Sequence, residues 1–145
     1  LGMVNSPAEA MAESPTVPKV PVVARADSYI STEGEVVPSS EVDILVRLIS
    51  MRRVHRTLAV TAAMSAAAAA QISGTVVGRC VQPAIGNTVR LGLPAGVLAC
   101  DARVEQFAEG HGVVPEVRGS RTARLIMSGH ALIPHTRVSG EARSG

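Results

Sequence analysis

Histidine and cysteine are the residues of this chain best able to bind a metal ion, but their spacing matches no recognised ligand set. The six are His55, His111, His130, His135, Cys80 and Cys100. His130 and His135 stand five residues apart across Pro134, so they lack the i, i+4 geometry that places two zinc ligands on one helix face. We therefore expect no metal site, and we expect both cysteines to be buried free thiols.

A serine and a histidine occur close together in Ser128-Gly129-His130. Nucleophilic catalysis requires a nucleophile, a base and a group that orients the base. Residues two apart rarely form the hydrogen-bonded pair, and the chain contains no GxSxG turn. Glu105 and Glu109 are interpreted as a solvated helix face rather than an acid–base pair. No catalytic residue is predicted, although a small hydrolase or thiol enzyme centred on Cys100 or on this Ser–His pair is kept as an alternative.

The glycine-containing loops do not match a nucleotide-binding loop. A phosphate loop reads GxxxxGK[ST] after a strand, whereas the single lysine of this chain, Lys19, lies in a proline-rich region. No GxGxxG pattern occurs either. The sequence therefore predicts no cofactor.

Arginine supplies the remaining candidate binding groups, in two clusters that could contact phosphates without reading sequence. The candidate phosphate contacts are Arg47, Arg52, Arg53, Arg56, Arg118, Arg121 and Arg124. Tyr29 and Phe107 are the only aromatic residues, which leaves little material for stacking nucleic-acid bases. A nucleic-acid-binding accessory protein with non-specific contacts is the first alternative function, and pairing of these arginines with acidic residues is the simpler interpretation.

Residues 1–40 are interpreted as an extended arm. Pro7, Pro15, Pro18, Pro21 and Pro38 lack an N–H group and push the preceding residue out of the helical region. Strands are predicted at residues 17–24 and 29–30, lying at an edge against another surface. The predicted contacts to partner subunits are Val17, Val20, Val22, Tyr29 and Ile30.

The strongest helix signal runs from residue 41 to residue 71. Ser39 or Ser40 could cap it, and no proline or glycine interrupts it before Gly74. Ile44, Leu48 and Met51 follow a helical spacing that extends toward an alanine run at residues 66–70. The pattern predicts one long Ala-rich helix, or two helices joined near residues 61–65.

Beyond Gly74 the hydrophobic period becomes that of strands. Strands are predicted at residues 75–81, 87–93, 113–118, 123–127 and 131–133, and a short helix is predicted at residues 102–109. The fold class is therefore predicted as α+β: an extended arm, one long helix and a small sheet of short strands with one short helix. Residues 41–138 form the predicted domain, and residues 139–145 a flexible tail.

Composition sets outer limits on the function. The chain has 145 residues, a net charge of +2, and 46% hydrophobic residues rich in Ala and Val. The charge-free stretch at residues 57–77 has few strongly membrane-inserting residues, so no membrane span is expected. With no evidence for secretion, a location in the cytoplasm or within a virion is favoured.

The extended proline-rich arm, the Ala/Val core and the missing catalytic set together favour a structural role. Alanine and valine bury little area per residue, so contacts between subunits would supply the missing burial. The sequence predicts a non-enzymatic assembly subunit of a larger, shell-like or capsid-type complex. Its expected partners are other protein subunits, with non-specific nucleic acid as a further candidate.

Overall fold

In the part of the chain that it describes, the computed structural model contains eight strands and one α-helix of seven or more residues. The structure describes residues 4–6, 9, 12–13, 19–51, 53–81, 86–106, 112–120, 123–130 and 132. The strands are β1 (Val20–Arg25), β2 (Tyr29–Ile30), β3 (Val36–Val37), β4 (Ile44–Ser50), β5 (Arg53–Val54), β6 (Thr88–Leu93), β7 (Gly96–Gln106) and β8 (Gly112–Gly119). The helix α1 spans Val60–Gln71, and a 3-10 turn covers Ser39–Glu41.

Six of the strands form one curled sheet, in a half-barrel arrangement, with the order β1-β4-β6-β7-β8. β5 pairs with β4 at Ile49, on the edge opposite β1. β4 and β6 run parallel, while the other neighbours in the sheet are antiparallel. The parallel pair requires a crossover, and α1 lies within that connection. β2 and β3 form a separate two-stranded ribbon.

The core lies between the inner face of this sheet and α1. Alternate residues of β4 and β6 point inward, as the strand period of two requires. The strand residues of this core are Ile44, Val46, Leu48, Val89, Leu91, Leu93, Cys100 and Ala102. The helix contributes Ala63, Ala66, Ala67 and Ala70. Because alanine ends at Cβ, the helix backbone can approach the sheet closely, and the larger side chains of the strands fill the remaining space.

The long helix predicted from residue 41 to residue 71 is wrong. Residues Ile44–Ser50 form β4, Arg53–Val54 form β5, and only Val60–Gln71 is helical. The apolar run of residues 44–49 fits both a helical and a strand period, and its β-branched content favours the strand. The serines expected to cap the helix lie in the 3-10 turn instead.

The predicted α+β class is wrong, since the protein is mostly β. The short helix expected at residues 102–109 is wrong, because β7 continues through Gln106 between β6 and β8. Residues 75–81 form turns rather than a strand, and the described part of 123–130 contains no strand. The strands predicted near residues 29–30, 87–93 and 113–118 are confirmed.

The region predicted as an extended arm contributes an integral strand. β1 pairs with β4 along its whole length, from Val20 opposite Ile49 to Arg25 opposite Ile44. Val17 lies outside the described residues. The division of the chain after residue 40 and the tail from residue 139 stay predictions. Among the described residues, no helix combines the length and hydropathy needed to cross a bilayer.

The junction of β4 and β6 is narrow and is reinforced by an ion pair. Only two residue pairs connect these strands, Ile44 with Leu91 and Leu45 with Gly92. Next to them, the Asp43 carboxylate accepts the backbone N–H of Arg90 at 2.7 Å and its guanidinium at 2.7 Å. The amide of Asp43 donates to the Arg90 carbonyl at 2.8 Å.

The ion pair changes the acidity of Asp43. Partial burial raises the pKa of this carboxyl group, but the hydrogen bonds from the Arg90 side chain and backbone, together with its charge, outweigh burial and hold the pKa below its ordinary value. Stability gained from a lowered carboxyl pKa is present above the unfolded-state pKa, about 4, and is lost as the pH falls through the folded-state pKa.

On the outer face of the sheet, Tyr29 from the ribbon packs over Gly92 of β6. The Tyr29 hydroxyl donates to the Gly96 carbonyl at 2.9 Å. The Arg47 guanidinium lies 5.0 Å from the centre of the tyrosine ring and donates to the Gly92 carbonyl at 2.8 Å. A Cβ atom at Gly92 would stand 2.7 Å from Leu45 Cδ2 and 3.2 Å from Tyr29 Cε1. Glycine therefore allows the ribbon to contact the sheet.

We predict that Asp43→Asn lowers the free energy of unfolding at pH 7 by about 1–2 kcal/mol, because it removes the charge-assisted bonds to a partly exposed arginine. The variant should also lose less stability than the parent as the pH falls below about 4. Urea unfolding at several pH values measures both effects. Glu33→Gln, which removes a carboxylate from an exposed pair, is the control, and an equal loss there would contradict the prediction.

Gly92→Ala should lower the free energy of unfolding by about 1–2 kcal/mol, since the added methyl group forces Leu45 and the Tyr29 ring to move. Thermal unfolding measures this change. Adding Tyr29→Ala to Gly92→Ala should cost less than the sum of the two single substitutions. Additive effects of the two substitutions would contradict the proposed contact.

Candidate functional site

A cleft of about 490 Å³ lies at the start of α1. One wall is the helix entry, from Thr57 to Val60. The β6–β7 hairpin, from Leu93 to Cys100, forms the floor and the second wall, and Gly119 and Ser120 close the end. The lining residues are mostly apolar, with hydroxyl groups supplied by Thr57 and Ser120.

The first turn of α1 presents unsatisfied backbone donors. Ala59 occupies the N-cap position with φ −58° and ψ 137°, and no side chain caps the helix. The amide of Ala63 donates to the Ala59 carbonyl at 2.9 Å, so the amides of Val60, Thr61 and Ala62 have no partner within the helix. The first turn contains no acidic residue. Such an end carries a partial positive charge and favours an anion.

Cys100 lies at the base of the cleft and is 2% exposed. Burial, assisted by the negative charge of Asp101, raises the pKa of its thiol. The thiol is therefore protonated at neutral pH, and a protonated thiol is neither an effective nucleophile nor a base. Its Sγ atom stands 3.7 Å from the position that a Cβ atom would occupy at Gly119. The geometry assigns Cys100 a packing role.

Backbone contacts fix the rim of the cleft. The amide of Ala95 donates to the Arg56 carbonyl at 3.0 Å, and the amide of Thr32 donates to the Pro94 carbonyl at 2.7 Å. The Arg56 guanidinium in turn forms an ion pair with Glu33. Three segments therefore meet at the rim: the β2–β3 turn, Arg56 and the β6–β7 turn.

A second cavity, of about 520 Å³, lies on the other side of the helix. Small side chains of α1 face Val23 of β1 and Val77 across it, and Lys19 stands at one end. It reaches the helix start through Ala59 and Thr61. The first turn of α1 is thus accessible from both sides.

The arginines predicted to contact phosphates lie on separate elements. Arg47 is held on β4 by carbonyl groups and by Tyr29. Arg53 lies in β5, and Arg124 lies in an exposed segment without regular secondary structure. Arg118 pairs with Glu116 of its own strand. Arg52 and Arg121 lie outside the described residues, and the phosphate contacts stay a prediction.

A charged cavity of about 230 Å³ surrounds Arg118 and explains its position. Across β7 and β8, Asp101 stands opposite Arg118 and Arg103 stands opposite Glu116. Opposite charges in such register stabilise a sheet. These groups therefore neutralise one another, and the cavity needs no ligand to account for them.

The structure separates the residues of the hydrolase alternative. Cys100 is buried in the core, whereas Ser128 and His130 lie exposed in the segment 123–130. Within the described part of the chain, no group of three or more His, Cys, Asp or Glu side chains could hold a metal ion. His111 and His135 lie outside that part.

The predicted contacts to partner subunits are mostly exposed. Val20 and Val22 are each 52% exposed on β1, and Ile30 is exposed on the ribbon. Tyr29 is half-buried against the sheet, as described above. The contact of these side chains with another subunit stays a prediction.

Sequence reasoning missed the start of α1 as a site. The donors there are backbone amides, and no residue type marks them. The predicted helix began near residue 41 and therefore placed residues 59–62 in its interior. A charge-free segment beginning with Thr57 and lacking acidic residues near the helix start was the available signal.

Comparison with known proteins identifies relatives across nearly the whole chain. Residues 1–134 match the family described as PrpF protein. The 2-methyl-aconitate isomerase of Cupriavidus necator is 35% identical over 134 residues, which cover 92% of this chain and 33% of the relative. The 3-methylitaconate isomerase of Eubacterium barkeri is 31% identical over 140 residues, which cover 95% and 36%.

A solved structure agrees with the sequence matches. The crystal structure of methylitaconate-delta-isomerase superposes with a TM-score of 0.69 at 29% identity, and covers 99% of this chain and 36% of that chain. The present chain therefore spans about a third of the length of the relatives that it matches.

These relatives overturn the function predicted from sequence. They are named as isomerases, so the prediction of a non-enzymatic, capsid-type assembly subunit is wrong. The nucleic-acid-binding and hydrolase alternatives likewise do not match the reaction class of the relatives. The absence of a familiar catalytic motif and the Ala/Val composition misled the prediction, because neither excludes a binding site made of backbone groups. The chain belongs to the PrpF protein family.

Proposed function

We propose that this chain forms the carboxylate-binding part of an isomerase that moves a double bond in an unsaturated polycarboxylic acid. The relatives are named for 2-methylaconitate and 3-methylitaconate, both of which carry carboxylates next to a carbon–carbon double bond. Shifting that bond removes a proton from one carbon and returns a proton to another, with no net change in oxidation state.

The observation that carries the proposal is the uncapped start of α1, where Val60 lines this cleft and Thr61 and Ala62 line the cavity on the other side of the helix. A substrate carboxylate would accept hydrogen bonds from the amides of residues 60–62, where the helix dipole favours a negative charge. The apolar walls, including Leu58 and Leu93, exclude water and strengthen those bonds. The hydroxyls of Thr57 and Ser120 lie in the same cleft and supply further polar contacts.

The cleft orients a substrate but holds no suitable group for proton transfer among its described lining residues. Cys100 is the titratable residue there, and its thiol stays protonated because its pKa is raised. The relatives are about three times as long as the matched region. We therefore assign the proton-transferring groups to the part of a full-length protein outside this region.

Ala59→Asp tests the anion site, because it places a competing carboxylate at the N-cap. We predict that it stabilises the fold by about 1 kcal/mol and weakens binding of tricarballylate, an unreactive tricarboxylate, by tenfold or more. Thermal unfolding and NMR titration of the amides of residues 60–62 measure the two effects. Ser65→Asp adds the same charge at an exposed position farther along α1 and is the control. Unchanged tricarballylate affinity in Ala59→Asp would refute the site.

The reaction itself is tested with the full-length protein that contains this region. Incubation with 2-methylaconitate or 3-methylitaconate in D₂O should give the isomeric acid, with deuterium at the carbon that receives the proton. Proton NMR follows both events. If neither acid is converted and neither exchanges a proton, the proposed reaction is wrong, whatever the chain binds.

A further inference from the structure

An exposed ion pair stands at the rim of the cleft and has no evident structural purpose. Arg56 precedes Thr57, which lines the cleft, and its guanidinium bonds Glu33 and, at 3.4 Å, the Thr32 hydroxyl. Thr32 is itself bonded to Pro94, between the lining residues Leu93 and Ala95. The guanidinium is therefore held next to Thr32, which is bonded to the β6–β7 turn at the rim of the cleft.

The energetics of this pair differ from those of Asp43 and Arg90. The Arg56 and Glu33 side chains are 66% and 61% exposed, whereas Asp43 is 26% exposed and bonds backbone as well as side chain. Exposed pairs contribute little to stability because water solvates both partners well. The position of the ribbon is already fixed by Tyr29 and by the Thr32–Pro94 bond. If Arg56 bonded a different carboxylate in place of Glu33, the fold would therefore lose little stability.

Among the described residues, the cleft lining lacks charged side chains, so an arginine at its rim would add the positive charge that a polyanion needs. The donors for a polyanion within the cleft are the α1 amides and two hydroxyls. Val60 is four positions after Arg56, which limits the distance between their Cα atoms to about 14 Å. An arginine side chain covers much of that distance and can bind a carboxylate through two parallel hydrogen bonds.

We propose that Arg56 is a second carboxylate-binding residue, held by Glu33 when the cleft is empty and transferred to the substrate on binding. This inference rests on the proposed function, with one carboxylate at the start of α1 and another at Arg56. Glu33 thus competes with the substrate and keeps the guanidinium positioned at the rim. The arrangement selects acids with at least two carboxylates over acids with one.

Kinetics of the full-length protein test this role. Arg56→Gln should raise KM for the tricarboxylate substrate at least tenfold, with kcat changed less than threefold, because binding rather than proton transfer is affected. Glu33→Gln should lower KM two- to fivefold, since it removes the competing carboxylate. Arg53→Gln removes an exposed arginine three residues away and should leave both constants unchanged. An unchanged KM in Arg56→Gln would overturn the inference while leaving the proposed function intact.

Ligand binding separates a direct contact from a structural effect. The parent chain should bind tricarballylate more tightly than butyrate, which carries a single carboxylate. Arg56→Gln should reduce that preference at least fivefold, whereas Arg56→Lys should retain part of it. A purely structural role would weaken both ligands by the same factor, and equal weakening would overturn the inference. Because this titration needs no turnover, it reports on Arg56 even if the proposed reaction fails.

Discussion

The sheet of this protein is continuous only because β4 and β6 meet at two residue pairs, and the carboxylate of Asp43 reinforces that short contact. β1 and β5 pair with β4, whereas β7 pairs with β6 and β8 pairs with β7. α1 follows β5 in the chain but packs against β6, β7 and β8. The same junction therefore fixes where α1 begins. The cleft, its backbone donors and its rim therefore all depend on a link that one partly buried ion pair stabilises.

The chain uses two arginine–carboxylate pairs in different ways. Arg90 bonds Asp43 and the Ser40 carbonyl, so that its charge is committed to the fold. Arg56 bonds Glu33 in solvent at the edge of the cleft, where its charge is available for exchange. Between them, the proposed binding surface consists of helix amides and apolar side chains. Under the proposed function, a protein with few charges recognises a polyanion through an oriented backbone.

The sequence predicts several strands well, because β6 and β8 show clear periodicity and glycine or proline boundaries. It fails at residues 44–50, where an apolar run satisfies two periods and only pairing with β1 and β6 decides between them. It fails again at Ala102 and Arg103, whose preference for a helix is overridden by neighbours on both edges of β7. The site escaped prediction for a different reason: amides at a helix start carry no residue signature, and Arg56 was grouped with other arginines by type rather than by position. Similarity to known isomerases indicated the functional class, which composition did not.

The narrow junction between β4 and β6 also has a consequence for how the chain folds. Asp43 and Arg90 are 47 residues apart, so their contact closes a long loop, whereas β6, β7 and β8 follow one another as antiparallel neighbours and need only short loops. We expect the β6–β8 meander to form early, and the β1–β4 pair to join it late across the two-residue seam. In the native state the same seam is where the sheet would separate first, so the amides of β1 and β4 would exchange hydrogen as one cooperative unit, ahead of those in the meander.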